Sequence, residues 1–65
     1  MNASLFGISI EEQIACVERE IQMRVHVYAR RVLAKHMTQK TADKELAHMR
    51  AVLETLLNLK AQGGS

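Results

Sequence analysis

The chain has 65 residues, a formal net charge of +2, a single cysteine, three glycines and no proline. That length allows one domain at most, and so short a chain rarely buries enough surface to stand alone. An intrachain disulfide is excluded, as is any zinc site needing two cysteines of one chain, which leaves self-association as the expected source of stability.

Residues 1–7, MNASLFG, show no periodicity and are expected to form a flexible N-terminal arm. They lack the charged n-region and apolar h-region of a secretory signal. With one cysteine and no long apolar run besides, the sequence reads as cytoplasmic, with no membrane partner. Ser9 is a good N-cap, and Glu12 three residues on completes a capping box.

A helix is predicted from about 10 to 35. Ile10, Ile14, Val17, Ile21, Val25, Tyr28 and Val32 recur at spacings of three and four, which places them on one helix face. Cys16, Met23, Val27 and Ala34 form a sparser second stripe, with Gln13, Glu20, Arg24 and Arg31 between the two. One partner helix needs one stripe, so a second stripe indicates a second contact; scattered exposed apolar residues are the plainer explanation.

The register breaks at about 36–38, where Thr38 is a suitable N-cap and Met37 can staple onto Ala42. A single long helix would need apolar residues near 39 and 43, and those positions hold Gln39 and Asp43. A second helix is predicted from about 39 to 61, on a stripe of Ala42, Leu46, Met49, Leu53, Leu56 and Leu57 flanked by Val52 and Leu59. Residues 62–65 read as a disordered tail. The fold class is therefore all-α, an antiparallel helical hairpin over residues 8–61. One hairpin gives a thin core, and a homodimer closing a four-helix bundle is expected. Its core and dimer contacts would come from Ile14, Val17, Ile21, Val25, Val32, Leu46, Met49, Leu53, Leu56 and Leu57.

Candidate chemistry is sparse. His26, His36 and His48 make no i, i+4 pair and no metal motif, so no metal and no cofactor are expected. Cys16 lies near Glu18 and Glu20, which oppose thiolate formation; a partly buried structural cysteine is expected. The carboxylates Glu11, Glu12, Glu18 and Glu20 belong largely to a solvated face, and a two-helix chain has no room for an enzyme-sized pocket. The sequence thus reads as non-enzymatic.

The segment RVHVYARRVLAK combines Arg and Tyr as protein hot spots do. Arg24, Arg31 and Lys35 line one edge of the main stripe beside Tyr28, and with Met23, Val27 and Leu59 they are the candidate partner-binding residues. The same basic cluster could meet phosphate, but the charge is low and no helix-turn-helix glycine is present, so nucleic acid is the lesser reading.

Over about residues 10–59, the string SIEEQIACVEREIQMR…VYARRV…KHMTQKTADKELAHMRAVLETL resembles a group of small proteins of tailed phages and prophages of Gram-negative bacteria. The shared pattern is E-Q-I-x-x-V-x-R-E-I-x-x-R-x-x-V-Y-x-x-W/R-V, then a short turn with M-T or L-S, then A-D-x-E-x-x-x-M-x-A-V-L-x-T-L. Ala29 stands where a proline is common in that pattern, and no glycine precedes Met37. The resemblance implies a phage accessory protein acting in the host cytoplasm. It implies a helical dimer of the kind that includes anti-activators of host regulators, LuxR-type quorum-sensing transcription factors among them. Arg24, Tyr28 and Arg31 fall on recurring positions of the pattern. A structural component of a phage complex is the other role such a protein can have.

Overall fold

The computed structural model describes residues 7–63. It contains two helices, α1 (Ile10–Leu33) and α2 (Gln39–Ala61), packed on each other as a hairpin. No helix among the described residues is long and apolar enough to cross a membrane. Of the expected arm only Gly7 is described, and of the expected tail only Gln62 and Gly63; the rest of both lies outside the described residues.

Local chemistry sets the helix starts. The Ser9 hydroxyl accepts from the Glu12 amide at 3.1 Å, and the Glu12 carboxylate accepts from the Ser9 amide at 3.1 Å. This reciprocal pair satisfies two amides that the first turn would leave bare. Thr38 begins α2 in the same manner, its hydroxyl accepting from the Thr41 amide at 3.1 Å.

The end of α1 departs from the sequence expectation. The helix stops at Leu33 rather than 35, and Lys35 stands outside it with φ of 63°. The Lys35 amide donates to the Val32 carbonyl at 3.0 Å and the His36 amide to the Arg31 carbonyl at 2.8 Å. Those two bonds form a Schellman motif, whose turning residue is most often glycine because an L side chain is strained at positive φ. A lysine therefore does a glycine's task, and no breaker marks the site in the sequence. At the far end, Gln62 caps α2 and Gly63 follows at φ of 79°, so two residues read as tail close the helix instead.

The core is thin. Ile10, Ile14, Ile21 and Ala42 are the buried apolar residues among those described. Val17, Val25, Val32, Leu46, Met49, Leu53 and Leu56 are half-buried. Leu57, expected among the core and dimer contacts, is 45% exposed in the single hairpin. It lies on the outer flank of its stripe, where one partner helix does not reach. Cys16 is exposed, not partly buried as expected, because its stripe has no helix laid against it.

Candidate functional site

In two antiparallel helices, side chains displaced in the same rotational sense from the line of contact share a face of the pair. A groove lined by Glu18, Ile21, Gln22, Arg50, Leu53, Glu54 and Leu57 marks one face. Ile21 and Glu18 of α1 line it together with Leu53 and Leu57 of α2. Residues displaced in the other sense are Val17, Glu20, Arg24, Val27, Tyr28 and Arg31 on α1, and Met49, Val52, Leu56 and Leu59 on α2. They make up the second face, on which Arg24 falls roughly between the levels of Met49 and Val52.

Arg24 is the centre of that second face. Its Nη1 donates to the Tyr28 hydroxyl at 3.2 Å, and its Nη2 pairs with the Glu20 carboxylate at 3.4 Å. Both partners are one helical turn away, at i+4 and i−4, so α1 alone arranges the three. The hydrogen bond to Tyr28 is the main cause that raises the guanidinium pKa above its ordinary value, with charge interactions with Tyr28 and Glu20 behind it. The two contacts hold the Arg24 side chain in place. Its Nε is covered and finds no acceptor among the described residues, while the side chain as a whole stays 39% exposed.

Much of the rest of this face is apolar. Val52 is 48% exposed and Leu59 45%, with Val17, Val27, Met49 and Leu56 half-buried beside them. The structure does not gather the expected patch of Met23, Val27 and Leu59 into one spot. Met23 points away from α2, into a shallow depression on the outer side of α1 that it shares with Ala15 and Arg19. Leu59 lies toward the start of α1, and Val27 and Arg31 toward the turn. Lys35 sits in the turn itself, lining a depression with His36, Met37 and Thr38.

No known protein family, curated protein or solved structure matches this chain. The site is therefore read from its own chemistry. That chemistry is a fixed guanidinium with a tyrosine beside it, set in half-exposed aliphatic side chains. Glu20 and Val52 belong to it although the spacing of the stripes did not single them out as contacts. The signal for Glu20 was present, in the ladder Glu20, Arg24, Tyr28 at successive intervals of four.

Proposed function

We propose that this chain is a non-enzymatic binding protein of the phage accessory type. It pairs with a second copy of itself and inhibits a host protein by covering part of its surface. The resemblance at the sequence level suggests the kind of target, a LuxR-type transcription regulator. The observation that carries the reading is the Arg24 face. An arginine pre-set by Tyr28 and Glu20 within exposed aliphatic surface has the composition of an interface hot spot. An arginine already held by its own helix loses less rotamer freedom on binding than a free one.

The test is a pull-down from nuclease-treated host lysate with the tagged full chain, run beside Val52→Asp and Arg31→Glu. One host protein held by the wild type and lost by both variants, at unchanged helicity, supports the reading. Retention that vanishes with nuclease treatment supports nucleic acid instead. Equal retention by all three proteins removes the Arg24 face from the account.

A further inference from the structure

Two helices side by side make a single layer, and this hairpin measures 45 × 21 × 13 Å. Stable domains bury apolar faces between two layers. With the Arg24 face assigned to a target, the groove face remains open. Its floor is Ile21, Leu53 and Leu57, and its rim holds Glu18, Arg50 and Glu54. Arg24–Glu20 is the one ion pair among the described residues, so the three rim charges have no partner in a single hairpin.

We propose that the groove face binds a second copy of this chain, with the two α2 helices antiparallel across a two-fold axis near the level of Val52. The charge order makes the surface self-complementary. Arg50 and Glu54 are one turn apart on α2, so an axis midway between their levels sets each Arg50 opposite the other copy's Glu54, twice over. The same axis brings Leu57 of one copy over Leu46 of the other. The area suffices, since a face of 45 by 21 Å exceeds the roughly 800 Å² per partner of a standard interface. This assignment rests on the self-association in the proposed function and gives it a face and a register.

The experiment is sedimentation equilibrium of the full chain over a wide concentration range, with helicity followed by circular dichroism. The wild type should show twice the 7.3 kDa chain mass. Arg50→Glu and Glu54→Arg should each weaken the dimer about tenfold or more, since like charges then meet at both ends of the symmetric contact. An equimolar mixture of the two variants should recover the wild-type affinity to within a few-fold, because each reversed charge then meets its complement. A merely misfolded variant would not be rescued in this way. Failure of the mixture to recover overturns the register. A wild-type dimer untouched by these variants but split by Val52→Asp puts the copy on the Arg24 face and overturns the assignment, while self-association stands. A wild type at the single-chain mass throughout overturns both.

Discussion

The two broad faces of the hairpin carry similar residue types and arrange them differently. On the Arg24 face the central charge is paired within one helix, by Glu20 and Tyr28, with Arg31 exposed further along and the apolar residues spread between them. On the groove face Arg50 and Glu54 are left unpaired on the rim of an apolar floor. A face whose central charge is already held in place can meet a chemically different surface without prior matching. A face whose charges need outside partners is selective, and a copy related by two-fold symmetry supplies those partners without a second sequence. The contrast teaches that charge pairing, more than hydrophobicity, separates the two surfaces.

The largest effect should come from the residue beneath both faces. Ile21 is 6% exposed, and Ile21→Ala should lose about 2–4 kcal/mol by removing buried methyls and leaving a cavity. In so small a domain that loss approaches the whole stability, so thermal melting followed by circular dichroism should show no cooperative transition. Next is the pair Leu57→Asp and Val52→Asp. Leu57→Asp should weaken the dimer about a hundredfold by sedimentation, while Val52→Asp should leave the mass unchanged and remove target capture. Equal effects of the two substitutions would erase the distinction between the faces.

Smaller effects sharpen the comparison. Lys35→Gly should stabilise the hairpin by about 0.5–1 kcal/mol, since glycine occupies the left-handed region without a Cβ penalty. It changes neither face, so dimer mass and capture should stay as in the wild type; no gain in chemical-denaturation midpoint would count against the strained turn. Glu20→Gln should cost about 0.5 kcal/mol or less, because the pair it forms with Arg24 is well exposed. Its larger consequence should be weaker target capture, with the dimer unaffected.

The sequence was most legible where one side chain answers one backbone group. Ser9 with Glu12, and Thr38 at the start of α2, could be read from spacing because a cap is a contact three residues long. The apolar stripe identified Ile14 and Ile21 as core for the same reason of periodicity. The end of α1 was not legible, because the tertiary return of the chain imposes positive φ on Lys35, a residue with no preference for it. Burial was overestimated at Cys16, since periodicity marks a stripe without saying how wide a partner covers it. The expected patch of Met23, Val27 and Leu59 failed on longer-range geometry. A helical wheel shows angle but not level, and the antiparallel pairing sets Leu59 and Val27 toward opposite ends.

The central claim is that one layer of two helices depends on a second layer for its stability. The most direct measurement is the thermal midpoint of the full chain by circular dichroism across a thousandfold range of protein concentration. Folding linked to dimerisation predicts a midpoint that rises by about 5 °C for each tenfold increase in concentration. A midpoint that stays constant across the range would show that the single hairpin is stable by itself, and would contradict the account.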